Sequence, residues 1–182
     1  MRKLTVWVAM GAWLMLPSLQ VWAQDAAQSA IYQAPYSWTD DQGKAVSLAD
    51  WRGKPVLMTM AFSTCRKFCP ITLARLAEVQ KLYDQRGIDA EFVVISYDPA
   101  DTWQSWATFR KTHHYERANW HFLTGGVEAT KAISQLLGMD YWFYDEHVLH
   151  NFKIVRLGPT GVIEATLGWD NQERVETLLP AP

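Results

Sequence analysis

The 182-residue chain is poor in cysteine and has only two, Cys65 and Cys69. A closed structural zinc site normally has four protein ligands, so this pair would have to recruit two of the five histidines. A disulfide between residues four apart closes so short a loop that it would stabilise the fold little. The scarcity therefore favours a chemical role for the pair, with an inert disulfide and a structural zinc site as the alternatives.

Clusters of positive charge and internal repeats are missing as well. The chain has 17 basic and 19 acidic residues, and it has no basic run that would indicate a nucleic-acid partner. No repeat or low-complexity tract interrupts the sequence after residue 36. The length fits a single domain.

The N-terminus differs in composition from the rest of the chain. After two basic residues, residues 4–23 carry no charge and end at Ala23, a small residue of the kind that signal peptidases read. This pattern predicts a secretory signal peptide over residues 1–23. A retained membrane anchor is the alternative, because about 20 apolar residues suffice to cross a bilayer. Both interpretations predict a periplasmic or other extracytoplasmic protein, either soluble or attached to the inner membrane through residues 4–23.

The remaining sequence predicts one α/β domain. Residues 24–35 are rich in Ala, Gln, Ser and Asp and predict a flexible lead, and residues 36–182 form the domain. Hydrophobic periodicity predicts strands over 36–39, 45–47, 56–62, 92–97, 120–123, 152–157 and 162–167, and helices over 71–85, 102–111, 127–137 and 171–179. Alternating strands and helices that end in a hairpin and a helix predict a mixed central sheet flanked by helices.

The two cysteines lie between a predicted buried strand and a predicted amphipathic helix. Residues four apart share a helix face or meet across a loop that enters a helix, so both thiols can reach one metal ion or each other. The helix N-terminus and the adjacent Arg66 and Lys67 are expected to lower the thiol pKa values. A thiolate is both a nucleophile and a soft-metal ligand. Two thiolates and one imidazole suit copper or zinc, so a redox pair and a metal site both remain open.

Four segments in order resemble the Sco/SenC family. Residues 63–70, Ser-Thr-Cys-x3-Cys-Pro, resemble its Cys-x3-Cys-Pro signature. Residues 95–102 are similar to its SxDP…DT segment, and residues 120–125 to its W-x-F-L-T-G stretch. Family members also carry a histidine eleven residues before the glycine of a Pro-x-Gly turn, and counting back from Gly161 leads to His150.

The resemblance implies a thioredoxin-like fold in which Cys65, Cys69 and His150 bind copper. It further implies a metallochaperone that delivers copper to the oxidase subunit bearing the CuA site during cytochrome c oxidase assembly. Some family members behave instead as thiol–disulfide oxidoreductases, in which the two cysteines form the redox pair and keep partner cysteines reduced. Either role needs a thiol reductant in an oxidising compartment. The Pro-x3-Thr-x2-Cys spacing of peroxiredoxin-like enzymes is missing, and a redox or copper sensor is left open.

The chain departs from the family pattern around the histidine. Family members usually have Asp-His-Ser, whereas here the sequence is Leu149-His150-Asn151, so an acid that could orient the imidazole is missing. His147 is a competing ligand candidate, and the gap-free count to Gly161 favours His150.

Two other features allow more than one interpretation. Asp98 follows a predicted strand and could orient a ligand or accept a proton, or it could simply form the turn that ends the strand. Met58 and Met60 share a strand face and could offer thioether ligands. Their alternation within an apolar strand favours packing in the core.

Overall fold

The computed structural model describes residues 30–65, 69–144, 147–172 and 174–181. The predicted signal peptide or anchor, residues 1–23, lies outside these ranges. Within them, no helix combines the length and the apolar character that crossing a bilayer requires.

A seven-stranded mixed sheet forms the centre of the domain. Its strands are β1 (Trp38–Asp40), β2 (Ala45–Val46), β3 (Val56–Ala61), β4 (Glu91–Ser96), β5 (Trp120–Thr124), β8 (Lys153–Leu157) and β9 (Ile163–Gly168). They lie in the order β2-β1-β5-β4-β3-β8-β9. β3, β4 and β5 are mutually parallel, whereas β8 pairs antiparallel with β3 and β1 pairs antiparallel with β5. The predicted mixed α/β sheet is therefore confirmed.

In the described part of the chain, three α-helices flank the sheet: α1 (Cys69–Arg86), α2 (Trp103–Thr112) and α3 (Val127–Leu137). Leu48–Trp51 and Val175–Leu178 form short 3-10 helices, so the helix predicted over 171–179 is much shorter than expected. A separate hairpin of β6 (Tyr141–Tyr144) and β7 (His147–His150) follows α3. This hairpin was not predicted. All four residues of β6 are aromatic, so apolar and polar side chains do not alternate along it, and the segment contains no turn-forming glycine.

Each face of the sheet buries its own core. α1 and α2 cover one face, with Leu57, Leu73, Leu76, Phe92, Trp106 and Phe122 among the buried side chains. α3 and the N-terminal part of the domain cover the other, with Ile31, Trp38, Met58, Met60, Ile95 and Ile133. Every residue of β3 and β4 is buried, as expected for strands covered on both faces. Met58 and Met60 are core residues, as the alternation predicted.

The folded domain begins earlier than residue 36. Ile31 and Tyr32 are only 4% and 3% exposed, so this part of the predicted flexible lead packs against the sheet. Tyr32 lies against Gly161 in the turn between β8 and β9. A Cβ atom at Gly161, where φ is +87°, would stand 2.6 Å from the tyrosine ring. Both the backbone conformation and this close approach explain the glycine.

The topology brings the chemically interesting segments to one edge of the sheet. Because β3, β4 and β5 are parallel, the loops that follow their carboxyl ends meet there. The loop after β3 leads through Cys65 to α1, and the loop after β4 leads to α2. β8 begins beside the end of β3, where Ile154 pairs with Thr59. β7 ends three residues before β8, so His150 also arrives at this edge.

Candidate metal centre

The two cysteines and one histidine converge at the carboxyl edge of the sheet. The ligand atoms of Cys65, Cys69 and His150 all lie within 4.8 Å of one another. Cys69 Sγ is 3.6 Å from His150 Nε2. The two cysteines are not joined by a disulfide. The three ligands expected from the sequence are thus brought together across more than 80 residues of chain.

The start of α1 holds the two sulfur atoms close. The first backbone N–H groups of a helix have no partner within the helix. One of them, the N–H of Cys69, donates to Cys65 Sγ at 3.3 Å. Pro70 follows in the first turn, where its missing N–H costs nothing. Cys69 is buried in the core, whereas Cys65 is partly exposed, so the more accessible sulfur is that of Cys65.

Backbone and aromatic contacts fix the orientation of His150. Its Nδ1 lies 2.9 Å from the carbonyl oxygen of Asn151. A carbonyl oxygen can only accept, so Nδ1 carries a hydrogen, and in the neutral imidazole the lone pair of Nε2 faces Cys69. The imidazole stacks on Tyr97 with ring centroids 4.8 Å apart and meets the edge of Phe62 at 6.1 Å. These contacts orient the imidazole, a role that the acid missing from position 149 could have had.

Cys69 differs from the sequence-based expectation of a lowered thiol pKa. A hydrogen bond with the Cys65 side chain and the burial of the sulfur raise the pKa of Cys69 above its ordinary value, and the charge of Asp101 adds to the effect. Burial disfavours the thiolate because that charge leaves water. Arg66 and Lys67, the expected cause of a lowered pKa, lie outside the described residues. A soft cation bound to the sulfur would favour the thiolate over the thiol, since coordination deprotonates a thiol.

Comparison with known proteins identifies the family. The SCO1/SenC family model matches residues 24–174. The chain belongs to the SCO1/SenC family. It is 26% identical over 136 residues to the SCO1 protein homolog of Bacillus subtilis, covering 71% of this chain and 69% of that protein. It is 29% identical over 170 residues to the mitochondrial SCO2 homolog of Homo sapiens, covering 84% of this chain and 62% of that protein.

The fold is that of Sco proteins. The structure of copper-bound ScoI from Arabidopsis thaliana matches with a TM-score of 0.69 and 27% identity, covering 80% of this chain and 93% of that one. The resemblance noted from the four sequence segments is confirmed, and so is the thioredoxin-like fold.

The donor set suits a soft ion. Two sulfurs and one imidazole nitrogen favour copper or zinc over magnesium or calcium, which prefer oxygen. Metal–sulfur bonds of about 2.3 Å place two coordinating sulfurs at most about 4.6 Å apart, so the 4.8 Å cluster needs little adjustment. Three protein ligands also leave a coordination position open, unlike a closed four-ligand structural zinc site.

His147, the competing histidine, lies opposite Tyr144 in the hairpin, and the structure describes no more of it than this strand position. Within the described ranges, the group close enough to share a metal ion consists of Cys65, Cys69 and His150.

Asp98 forms a turn, and the neighbouring Asp101 is the carboxylate that reaches the site. Asp98 Oδ1 accepts from the Ala100 N–H at 2.8 Å. This bond agrees with the interpretation of Asp98 as the residue that forms the turn after the strand. Asp101 is only 8% exposed and accepts from the backbone N–H and the hydroxyl of Ser63, two residues before Cys65. Sequence reasoning missed this role. The available signals were its place in the SxDP…DT segment and its position directly before Thr102, the cap of α2.

Proposed function

We propose that this protein is an exported copper metallochaperone that delivers copper during assembly of the CuA centre of cytochrome c oxidase. The convergence of Cys65, Cys69 and His150 carries the proposal. The chain's likeness to ScoI of Arabidopsis thaliana, whose structure was determined with copper bound, supports it. The predicted signal peptide supports a periplasmic location, soluble or anchored through residues 4–23.

The three side chains account for capture and release of a copper ion. Cys65 and Cys69 each lose a proton and supply thiolates, and His150 supplies the lone pair of Nε2. The partly exposed Cys65 lies where an incoming ligand can reach it. A site with three protein ligands can accept a fourth from the recipient before it gives up its own. The oxidase subunit bearing the CuA site is the proposed recipient.

The test compares two histidines under identical conditions. The reduced protein is titrated with Cu(I) against a competing chelator, and the wild type is expected to bind one equivalent. His150→Ala should lower the affinity at least about tenfold, because it removes a ligand and not only a group that orients one. His121→Ala is the matched control, since that imidazole also packs against an aromatic ring but pairs with Glu91. Equal affinity of wild type and His150→Ala would remove His150 from the site.

A thiol–disulfide oxidoreductase is the second candidate, favoured by the short approach of the two cysteines. The accessible Cys65 thiolate would attack a partner disulfide and form a mixed disulfide, releasing one partner thiol. Cys69 would then attack the Cys65 sulfur, release the second partner thiol and leave a Cys65–Cys69 disulfide. Two electrons pass to the partner, and a thiol reductant restores the pair. This chemistry needs both cysteines but not His150.

The two functions separate by their dependence on the histidine. Reduction of a disulfide substrate is measured with wild type, Cys65→Ala and His150→Ala. Rapid turnover that Cys65→Ala abolishes and His150→Ala leaves unchanged would favour the oxidoreductase. Slow turnover with tight, His150-dependent copper binding would favour the metallochaperone.

A further inference from the structure

We propose that the turn after β4, residues 97–101, is the positioning element of the site, with Asp101 holding the Cys65 loop and Tyr97 holding His150. The proposal rests on the function proposed above and deepens it. One short segment thereby sets the distance between the sulfur and imidazole ligands, although Cys69 and His150 are 81 residues apart in the sequence.

The Asp101 carboxylate accepts four hydrogen bonds, two of which come from Ser63 in the loop after β3. Oδ2 accepts from the Ser63 N–H at 2.9 Å and from the Ser96 hydroxyl at 2.6 Å. Oδ1 accepts from the hydroxyls of Ser63 and Ser105. Cys65 itself donates its N–H to the carbonyl of Phe62, so the segment that Asp101 anchors continues directly into the ligand. The carboxylate therefore ties the loop after β3 to the loop after β4.

Asp101 also differs from the other buried acids of the described chain. Asp41 pairs with Arg110 at 2.5 Å, and Glu91 pairs with Lys54 at 2.6 Å. Asp101 forms no ion pair among the residues that the structure describes; hydroxyls and one backbone N–H surround it instead. A buried carboxylate without a cation is costly. Its place beneath the cysteine loop gives a reason for keeping it there.

Tyr97 holds the other ligand from the same turn. The ring is 1% exposed and contacts both members of the cross-strand pair that closes the hairpin. Its centroid is 4.8 Å from that of His150 and 5.1 Å from that of Tyr141. The hairpin is also closed by the N–H of Asn151, which donates to the Asp140 carbonyl. The Tyr97 ring thus packs against one face of the imidazole, whose Nε2 is directed at Cys69.

The two contacts interlock through neighbouring residues. Phe62 meets the edge of the His150 ring, and the next residue, Ser63, is bound by Asp101. A shift of the loop after β3 would therefore disturb the imidazole, and a shift of the hairpin would disturb Phe62. Neither Tyr97 nor Asp101 offers one of the converging ligand atoms, so both are positioning residues.

The first experiment pairs Asp101→Ala with Asp101→Asn. An asparagine keeps one acceptor oxygen and can donate to hydroxyls in place of the other, so it can preserve the network without the charge. Asp101→Ala should lower Cu(I) affinity about ten- to a hundredfold, the usual range for a group that orients a ligand, and Asp101→Asn should recover most of that loss. Ser47→Ala removes the hydroxyl that accepts from the Ala49 N–H and caps the short helix Leu48–Trp51, and it controls for general loss of stability.

A measurement without copper tests the anchoring role of Asp101 independently of the proposed function. In glutathione buffers, Asp101→Ala should lower the equilibrium constant for closing the Cys65–Cys69 disulfide several-fold, because a loosened loop spends less time near Cys69. Asp101→Asn and Ser47→Ala should match the wild type. If Asp101→Ala closes the disulfide and binds copper as the wild type does, the anchoring role is overturned. If the wild type binds no copper but Asp101→Ala still shifts the disulfide equilibrium, the proposed function fails and the anchoring role stands.

The second experiment pairs Tyr97→Val with Tyr97→Phe. Phenylalanine keeps the stacked ring and should keep the copper affinity, whereas valine should lower it about tenfold. In the reduced, copper-free protein, nitrogen NMR shifts of the His150 imidazole should report a single Nδ1–H tautomer in wild type and Tyr97→Phe. Tyr97→Val should give a mixture of tautomers and shift the disulfide equilibrium less than Asp101→Ala does. A single tautomer and full affinity in Tyr97→Val would overturn the role of the ring.

Discussion

The two ends of the parallel strands each hold a histidine packed against an aromatic ring, but the two imidazoles face different partners. At the amino end, His121 Nε2 lies 2.8 Å from the Glu91 carboxylate, and the ring packs against Trp51 at 5.1 Å. At the carboxyl end, His150 Nε2 lies 3.6 Å from Cys69 Sγ, and the ring stacks on Tyr97. The same type of side chain thus contacts a carboxylate at one end and a thiol at the other.

The difference shows that stabilising charge pairs and the candidate metal site lie at opposite ends of the same sheet. At the amino end, Glu91 is bound by both His121 and Lys54, so its charge is matched within the protein. At the carboxyl end, the sulfur and nitrogen donors of three side chains lie within 4.8 Å of one another. The first arrangement contributes to folding, and the second is ready to bind an ion.

The largest contrast between the two ends is expected from replacing a sulfur. Cys69→Ser should abolish stoichiometric Cu(I) binding, with a loss beyond the roughly ten- to hundredfold typical of groups that only orient a ligand, because a hydroxyl is a poor ligand for a soft ion. Chelator competition measures the affinity. Glu91→Ala at the other end is the control and should bind copper normally. Tight binding by Cys69→Ser would break the comparison.

A second contrast concerns pH. Copper uptake releases the thiol protons, and each released proton weakens binding by up to about tenfold for each pH unit of acidification. Because the Cys65 hydrogen bond and burial raise the pKa of Cys69, this dependence should persist up to and above the ordinary thiol value of about 8.5. Affinities measured between roughly pH 6 and 9 test the slope. A flat profile would mean that the sulfurs are already ionised before copper arrives.

The ion pairs at the amino end should affect stability rather than copper. Burial opposes ionisation of Glu91, but hydrogen bonds from Lys54 and His121 outweigh it and hold its pKa below the ordinary value. A lowered carboxyl pKa stabilises the fold above the ordinary pKa, and the contribution is lost as the pH falls through the lowered one. Glu91→Ala should therefore cost about 1–3 kcal/mol near neutral pH and less in acid, measured by denaturant unfolding. An equal cost at both pH values would contradict the pairing.

The smallest effect is expected from restoring the acid that the family usually carries beside the histidine. Leu149 precedes His150 in β7 and pairs with Trp142, which is 54% exposed. Successive strand residues point to opposite faces, so an aspartate at position 149 would face away from the imidazole. Leu149→Asp should change Cu(I) affinity by less than about tenfold. A larger gain would show that a nearby carboxylate improves the site beyond what Tyr97 and the Asn151 carbonyl achieve.

Sequence reasoning predicted the central strands and helices well because their periodicity is strong. The helix over Val127–Leu137 has the predicted bounds, β3 ends one residue before the predicted end, and β4 begins and ends one residue earlier than predicted. The hairpin that carries His150 was missed, because its strands are short and lack alternation. The roles of Asp101 and Tyr97 were missed too, since each depends on a partner from a distant part of the chain.

The sequence by itself determined the two thiols, their spacing before a helix, the apolar strands that place a loop at one edge, and the histidine indicated by the family count. These depend on local order along the chain, which periodicity and motif spacing report directly. Only the tertiary structure decided that His150 meets Cys69, which nitrogen it presents, and which buried groups hold both in place. Those features depend on packing between segments far apart in sequence, and no local pattern contains that information.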